Sequence, residues 1–366
     1  MSGLRRKLFS FIALLALAGW PAVVWAEQPH PFAGNRVATV MTRNVYAGGD
    51  LAPVIAAPPD QLFQAVAAAY AQVQANNFPV RAEALAREID RARPDLVGLQ
   101  EASLFRTQTP ANGPGSPATT VAYDYLQILV DRLAQRGLRY EVVGVLQTLD
   151  VEIPGAFSPP SPLAPLSDIR LTDRIAIIAR ADQTTADLKL SNVRTGSFTA
   201  FLTVPTNAGP PIASRRGWVS VDAKVRGKSF RFITTHLEPL HPGIQVAQAG
   251  ELLNGPVNTS LPVIMAGDFN TRADGTGTAT YGIVTAAGFA DAWSQAHPGS
   301  PGYTCCHPAD LQVVGPPLDE RIDLILTRGG FVALSAVVLG DAPADRMPSG
   351  LWPSDHAGVA AALGLP

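Results

Sequence analysis

Cysteine is nearly absent from this sequence. Only two of its 366 residues are cysteines, and they are neighbours, Cys305 and Cys306. Without a Cys-x-x-Cys partner nearby, this pair argues against a zinc site. Because neighbouring cysteines close only a small, strained ring, three states stay open: a vicinal disulfide, two free thiols or an intermolecular bridge.

Charged residues are also scarce, at 16% of the chain, and lysine is rare. The formal net charge of −2 gives no overall basic surface of the kind that non-specific nucleic-acid binders carry. A local basic strip such as Arg215–Arg216 stays open. The hydrophobic content of 47%, with 32 glycines and 32 prolines, indicates a globular protein with many long loops rather than a disordered one.

A single long apolar run lies near the N-terminus. Arg5–Lys7 precede the apolar segment Leu8–Leu17, and Ala26 ends a segment suited to cleavage. This predicts a signal peptide over 1–26, a secreted or periplasmic protein, and a single catalytic domain over 27–366. An uncleaved membrane anchor is the alternative, although the run is short for a span of about 20 residues. Cleavage lowers Lys+Arg from 28 to 25 against 30 Asp+Glu, so the net charge becomes −5.

Short apolar runs and glycine- or proline-rich turns dominate the rest of the chain, and they predict many strands with helices between them. Val121–Gln135 is predicted to be helical. Arg106–Thr120 and Ile153–Ser167 are predicted to be long loops that shape a pocket. No repeat or linker divides the chain. The pattern predicts an α/β fold in which two sheets pack face to face and helices cover them.

The stretch Leu261–Thr271 combines an apolar strand with polar residues at its end. Gly267 is expected to let the backbone leave the strand. Because side chains alternate along an extended chain, Asp268 and Asn270 are predicted to point to one side and Phe269 to the other. An acid and an amide at the end of a buried strand are costly unless they bind something. The alternative is a simple Asx turn.

Polar residues follow or enter five other predicted strands: Asn44, Glu101, His236, Asp323, Asp355 and His356. Loops at one edge of a sheet are where sites are commonly built. Hard oxygen ligands such as Glu101 and Asp355 suit Mg²⁺ or Mn²⁺ rather than Zn²⁺. Taken singly, Glu101 could be a cap, His236 a core imidazole, and Asp323 the ion-pair partner of an arginine. The pattern as a whole favours metal-assisted hydrolysis of a phosphate ester.

The same residues occur in an ordered set of motifs. They are Thr42-Arg43-Asn44, Leu99-Gln100-Glu101, Thr235-His236-Leu237, Gly267-Asp268-Phe269-Asn270, Arg321-Ile322-Asp323 and Ser354-Asp355-His356. Over residues 36 to 363 this set resembles the endonuclease/exonuclease/phosphatase superfamily. The resemblance implies a four-layer α/β sandwich with two mixed sheets inside and helices outside.

The resemblance also implies roles for these residues. Three are implied to lie at a divalent cation, Mg²⁺ or Mn²⁺: Asn44, Glu101 and Asp355. Five are implied to act on the phosphate and the attacking water: His236, Asp268, Asn270, Asp323 and His356. Among them Asp268 is a candidate base, and Asp323 orients His356. Arg174 is a candidate phosphate clamp, with an ion pair as the alternative.

The substrate is less determined than the reaction. The resemblance implies hydrolysis of a phosphodiester or phosphomonoester by water, and nothing in it implies a protein partner. A secreted nuclease for DNA or RNA and a sphingomyelinase-like phospholipid phosphodiesterase are the alternatives, so nucleic acid and membrane lipid both stay open as partners. A non-catalytic binding protein on this fold is a further alternative. Four histidines in loops or turns are interpreted as having no role in the site: His30, His241, His297 and His307.

Overall fold

The computed structural model describes residues 36–113, 115–156, 165–207, 211–312 and 318–366, so the predicted signal peptide lies outside the described residues. The strands, in chain order, are β1 (Val37–Asn44), β2 (Leu96–Gln100), β3 (Leu104–Gln108), β4 (Thr120–Asp124), β5 (Tyr140–Gly155), β6 (Ser167–Arg180), β7 (Leu188–Ser197), β8 (Leu202–Val204), β9 (Ile212–Ser214), β10 (Gly217–Val225), β11 (Lys228–His236), β12 (Val263–Asp268), β13 (Ala290–Asp291), β14 (Asp323–Arg328), β15 (Val332–Leu339) and β16 (Gly358–Gly364). The helices are α1 (Ala52–Ala56), α2 (Leu62–Ala75), α3 (Phe78–Ala92), α4 (Tyr125–Gln135), α5 (Pro242–Asn254), α6 (Thr280–Ala286) and α7 (Ala292–Ala296).

Two large mixed sheets form the centre of the fold. The first has the strand order β15-β16-β1-β2-β6-β3-β4, with β5 also paired to β6. The second has the order β13-β14-β12-β11-β10-β7, and β8 and β9 form a separate hairpin. Strand β1 runs parallel to β2, and β11 runs parallel to β12, so the C-terminal ends of each pair meet at one edge of their sheet.

Three apolar cores separate four layers. Between the sheets, side chains such as Val40 and Ile177 of the first sheet pack with Phe232 and Ile264 of the second. The outer face of the first sheet packs against α2, α3 and α4, and the outer face of the second packs against α5 and α6. The predicted four-layer α/β sandwich is therefore confirmed.

Two predicted loops and one predicted helix need correction. The segment predicted as the loop Arg106–Thr120 contains most of β3 and the start of β4, and the helix predicted over Val121–Gln135 begins only at Tyr125. Strands β5 and β6 pair along their whole length, from Tyr140 opposite Arg180 to Gly155 opposite Ser167. This pairing includes Pro154, which an edge strand tolerates. The loop predicted over Ile153–Ser167 is therefore shorter, and residues 157–164 lie outside the described ranges.

Gly267 has a different role from the predicted one. It lies inside β12, which continues to Asp268, so it does not release the backbone from the strand. A Cβ atom at Gly267 would lie only 2.3 Å from the carbonyl oxygen of Thr235 on β11. The glycine therefore permits the close approach of two parallel strands whose ends carry the polar residues.

Among the described residues, no helix is both long enough and apolar enough to cross a bilayer.

Candidate active site

Strand register places three of the predicted residues in a row at one edge of the second sheet. His236 is opposite Asp268 in the parallel pair β11–β12, and Asp268 is opposite Asp323 in the antiparallel pair β12–β14. All three side chains are buried. The row brings an imidazole and two carboxylates together from strands that are far apart in sequence.

Asp268 is the centre of this row. Its Oδ2 atom lies 3.1 Å from Asn44 Nδ2, 3.4 Å from His236 Nε2 and 3.9 Å from His356 Nδ1. Its Oδ1 atom accepts a hydrogen bond from the backbone N–H of Asn270 at 2.9 Å. Burial, and then the charge of Asp323, raise the pKa of Asp268 to about 6. A carboxylate with such a pKa can take up a proton near neutral pH.

His356 is held by the second carboxylate of the row. Its Nδ1 atom lies 2.8 Å from Asp323 Oδ2, while Asp323 Oδ1 is buried without a hydrogen-bond partner. Burial alone would lower the pKa of His356, but the charges of Asp323 and Asp355 outweigh it and raise the pKa well above its ordinary value. The imidazole is therefore a cation at neutral pH, oriented by Asp323. Asp323 does not pair with an arginine, since Arg321 pairs with Asp291 instead.

The two cysteines lie against the same histidine. Cys305 and Cys306 are bonded to each other as a disulfide, one of the three states that the sequence leaves open. Their Sγ atoms lie 3.8 Å and 4.0 Å from His356 Nε2. The backbone N–H of Ala357 donates to the carbonyl of Thr304, so the segment before the cysteines is tied to the strand entry that carries His356.

His236 is a neutral imidazole of defined tautomer. Arg216 Nη1 lies 2.9 Å from His236 Nδ1, and because a guanidinium only donates, Nδ1 must be the unprotonated nitrogen. The proton is then on Nε2, which faces Asp268 at 3.4 Å. Burial, followed by the charges of Arg216 and His356, keeps the pKa of His236 well below its ordinary value.

The residues predicted to hold the metal come from the edge of the first sheet. Asn44, at the end of β1, donates from Nδ2 to Glu101 Oε1 and to Asp268 Oδ2, both at 3.1 Å, and so links the two sheets. Glu101 has a left-handed backbone (φ 57°), and its Oε2 accepts from the N–H of Ala47 at 2.7 Å. Burial and the charges of Asp355 and Asp173 raise the pKa of Glu101 to about 7.

A cavity of about 470 Å³ is lined by both Glu101 and Asp355. Their oxygens are hard donors that fit a divalent cation such as Mg²⁺. A tighter group, with ligand atoms within 4.8 Å of one another, is formed by Asp268, Asp323 and His356. Asn44 turns its amide N–H groups, not its oxygen, to the carboxylates, because its Oδ1 accepts from the N–H of Tyr46. Its assignment as a metal ligand stays a prediction.

A buried arginine fixes the loops that carry this site. Arg81 on α3 donates from Nη1 to the carbonyls of Val45 and Pro353 at 2.8 Å and 2.9 Å, and from Nη2 to that of Tyr46 at 3.0 Å. One side chain therefore holds the segment after Asn44 against the segment before Asp355.

Four residues of this region were missed or misjudged from the sequence. Tyr46, Asp173 and His307 line the cavity with Glu101, and Arg216 polarises His236. His307 is stacked on Trp352, with ring centroids 3.9 Å apart, and neither of its ring nitrogens has a hydrogen-bond partner. His307, which the sequence interpretation gave no role in the site, therefore lies at the cavity, and no sequence signal separates it from the other loop histidines.

Arg174 is not a phosphate clamp in this structure. Its side chain is buried, and it donates to the carbonyls of Ala102 and Ser103 and to Asp124 Oδ1. All these partners belong to the protein, so the ion-pair alternative holds, with Asp124 as the partner.

Asn270 lies at the turn after β12, where its Nδ2 donates to the carbonyl of Leu237 at 2.9 Å. Asn270 has a positive φ and is therefore not part of the extended strand. The alternation that was predicted to point its side chain to the same side as that of Asp268 does not apply to it.

A protein-family model matches the stretch of the chain that contains these residues. Residues 44–356 match the Endonuclease/Exonuclease/phosphatase family, and this range begins at Asn44 and ends at His356. The chain belongs to the endonuclease/exonuclease/phosphatase family. Members of this family hydrolyse phosphoester bonds and typically depend on a divalent metal. A search of curated protein sequences gives no match.

Solved structures share the endonuclease/exonuclease/phosphatase fold with this chain. A family protein from Leptotrichia buccalis C-1013-b has a TM-score of 0.54 at 17% identity, covering 89% of this chain and 99% of that one. A mannosyl-6-phosphatase from Bacteroides thetaiotaomicron VPI-5482 has a TM-score of 0.51 at 17% identity, with coverage of 89% and 99%. A humanized D. rerio TDP2 has a TM-score of 0.52 at 16% identity, with coverage of 89% and 98%. Identities this low establish the fold alone.

Proposed function

We propose that this chain is an exported, divalent-metal-dependent phosphoesterase that cleaves a phosphodiester or phosphomonoester by attack of water. The observation that supports it best is the position of Asp268. Its carboxylate is buried between two imidazoles of opposite character, the neutral His236 and the cationic His356. A carboxylate base that lies between a neutral imidazole and a cationic one is suited to proton transfer during attack on a phosphate.

Each residue of the row, and His356 beside it, then has a distinct task. Asp268 takes the proton from the attacking water as the water oxygen bonds to phosphorus, and the second water proton stays on the product phosphate. The P–O bond to the leaving group breaks, and His356 gives its proton to the departing oxygen. Asp323 keeps His356 charged and oriented throughout. His236 presents its Nε2 proton to Asp268 Oδ2 across 3.4 Å, which orients that carboxylate.

Glu101 and Asp355, which both line the cavity of about 470 Å³, are the residues that would hold the cation, Mg²⁺ or Mn²⁺. Such a cation would polarise the phosphate oxygens and neutralise the charge that develops there. Asn44 keeps Glu101 in register with Asp268 through its two hydrogen bonds. Charge neutralisation is therefore placed at the edge of the first sheet, and proton transfer where Asp268 of the second sheet meets His356 at the entry of β16.

The reaction class is testable with a small panel of esters. Purified protein with Mg²⁺ or Mn²⁺ is expected to hydrolyse bis-p-nitrophenyl phosphate, p-nitrophenyl phosphate or DNA, and EDTA is expected to abolish the activity. Release of p-nitrophenolate or of shortened DNA is the measurement, with heat-denatured protein as the control. Failure on every diester and monoester of the panel would falsify the enzyme proposal.

The panel also decides between the classes of ester. A D. rerio TDP2 structure contains a single-strand DNA product, and another structure of this fold is a mannosyl-6-phosphatase, so the fold itself serves both diesters and monoesters. For the present chain a nuclease would need a basic track for the backbone. A net charge of −5 after cleavage supplies none overall, so nucleic acid is the less favoured substrate of the proposal.

Export is the remaining part of the proposal. Expression in a bacterial host with an intact secretion pathway is expected to give a mature chain that begins at Glu27, because the segment up to Ala26 has the order of a signal peptide. N-terminal sequencing of the periplasmic or medium fraction is the measurement. A chain that keeps residues 1–26 and sediments with membranes would favour the anchor instead.

A further inference from the structure

A second cavity, of about 240 Å³, lies beside the one that holds Glu101 and Asp355. Its lining is almost entirely aliphatic and aromatic and comes from several separate elements. Six lining residues show its character: Val54, Val66, Tyr70, Phe105, Ile153 and Ile169. Five of these six are buried, and Ile153 is partly buried against the same core. The cavity therefore sits between α2 and the strands β5 and β6.

The two cavities share one wall. Ala47, Leu149, Leu171, Arg216 and Leu240 line both of them. Of these, Arg216 also contacts His236, so the shared wall begins at the catalytic row. A group bound beside Glu101 is therefore a neighbour of the apolar cavity, with no separate element between them.

The entrance is apolar too. Leu240, in the shared wall, is 70% exposed, the highest value among the large apolar side chains in the described part of the chain. Leu51, which also lines both cavities, is 37% exposed. Exposed leucines at a cavity mouth are costly in water unless a ligand covers them.

The chemistry of the lining excludes several substituents. A sugar or a nucleobase would leave its hydrogen-bonding groups without partners in such a lining, which is strongly unfavourable. A hydrocarbon chain has no hydrogen bonds to lose in this cavity, and its transfer out of water is favourable. If a methylene takes about the volume of a water molecule, ~30 Å³, the cavity accommodates about eight carbons.

We propose that the substrate is a phosphate ester with a hydrocarbon chain of about eight carbons or more, whose first carbons fill the apolar cavity while the phosphate lies beside Glu101 and Asp355. This inference rests on the proposed phosphoesterase function. The chain gives affinity and selects the substrate, and the row at Asp268 performs the hydrolysis. Arg216, in the shared wall, marks the boundary between the charged and the apolar part of the ligand.

A homologous series of p-nitrophenyl alkyl phosphates tests the proposal. With the protein and Mg²⁺, below the critical micelle concentration, kcat/KM is expected to rise about two- to fourfold for each added methylene. The octyl ester has seven more methylenes than the methyl ester and should thus exceed it by about 10²- to 10⁴-fold, and the rise should stop near the length that fills the cavity. A flat series overturns the proposal, and so does a rise that continues to dodecyl without a plateau. Faster turnover of a thymidine p-nitrophenyl phosphate than of the octyl ester also overturns it.

A matched pair of variants on α2 locates the chain. Ala69 lines the cavity, whereas Ala68, the preceding residue, faces solvent. Ala69→Phe is expected to bring the octyl-to-methyl ratio of kcat/KM to within about tenfold of unity by filling the cavity. Ala68→Phe, the same change on the outer face, is expected to keep the wild-type ratio. An Ala69→Phe protein that is folded by circular dichroism but keeps the full ratio places the chain elsewhere and contradicts the proposal.

Failure of this inference differs from failure of the proposed function. Hydrolysis of the methyl and octyl esters at equal rates keeps the phosphoesterase and overturns the apolar subsite. Absence of all turnover overturns the phosphoesterase. In that case calorimetry with octyl phosphate decides the subsite: binding at least tenfold tighter than that of ethyl phosphate upholds it, and equal binding overturns it. The wild-type series and this calorimetry do not depend on the folding of any variant.

Discussion

Asp268→Asn is expected to lower kcat for phosphate-ester hydrolysis by about 10²- to 10⁴-fold, the range in which a positioned general base contributes. Asparagine has nearly the same shape and can still accept from Asn44 or from the backbone of Asn270, but it cannot take a proton from water. KM should change little, since the phosphate contacts are kept. Initial rates over a range of substrate concentrations measure both constants.

Asp274→Asn is the control for this change, because Asp274 is exposed and its hydrogen bonds go to Thr276. Its kcat should equal that of the wild type. A folded Asp268→Asn enzyme with a normal rate would remove Asp268 from the mechanism.

Stability separates the loss of chemistry from the loss of fold. The pKa of Asp268 is raised from 3.8 to about 6 in the folded protein, so the folded state holds its proton at a pH where the unfolded state has lost it. Ionised Asp268 therefore lowers the free energy of unfolding as pH rises from about 4 to about 6, and the loss is complete above that window. In EDTA, Asp268→Asn should gain Tm relative to the wild type across this window. A difference in Tm that is constant with pH would contradict the raised pKa.

Asp323→Asn is expected to lower kcat by roughly 10³- to 10⁴-fold, the size seen when the carboxylate that orients a catalytic histidine becomes an amide. The change removes the negative charge that, with that of Asp355, raises the pKa of His356 against the effect of burial. His356 would then lose its proton at lower pH. The alkaline limb of the pH–rate profile should consequently move to lower pH, a shift that a purely structural defect would not produce.

Two comparison variants support that interpretation. Asp319→Asn, an exposed carboxylate in the segment before β14, should leave both the rate and the alkaline limb unchanged. His356→Asn should lose the alkaline limb altogether, because the group that titrates is gone. An Asp323→Asn enzyme whose limb stays at the wild-type pH would show that Asp323 does not set the charge of His356.

The row proposed to be catalytic could be predicted from sequence because each member sits at the end or the start of an apolar strand. Short buried strands such as Val263–Asp268 are recognisable, and a polar residue at their boundary is conspicuous. The contact between Asp268 and Asp323 follows from strand register, which the motif order alone does not give. The pattern therefore indicates which residues belong together, and the structure supplies how they touch.

Other parts of the site depend on packing that leaves no local signal. His307 lines the cavity and stacks on Trp352, a residue 45 positions later in the chain. Gly267 looked like a strand end, whereas the reason for the glycine is a neighbouring carbonyl on β11. The apolar cavity is assembled from helices, strands and a hairpin whose residues each look like ordinary core. Such features arise from tertiary contacts and override local interpretation.

The most direct test of the account is a metal titration of EDTA-treated protein, with bis-p-nitrophenyl phosphate as substrate. No hydrolysis is expected without metal, and the rate is expected to rise to saturation with Mg²⁺ or Mn²⁺. Glu101→Gln should need at least tenfold more metal for half of its maximal rate, because one hard oxygen ligand loses its charge. Hydrolysis that persists in EDTA, or a Glu101→Gln enzyme with the wild-type metal requirement, would contradict the account.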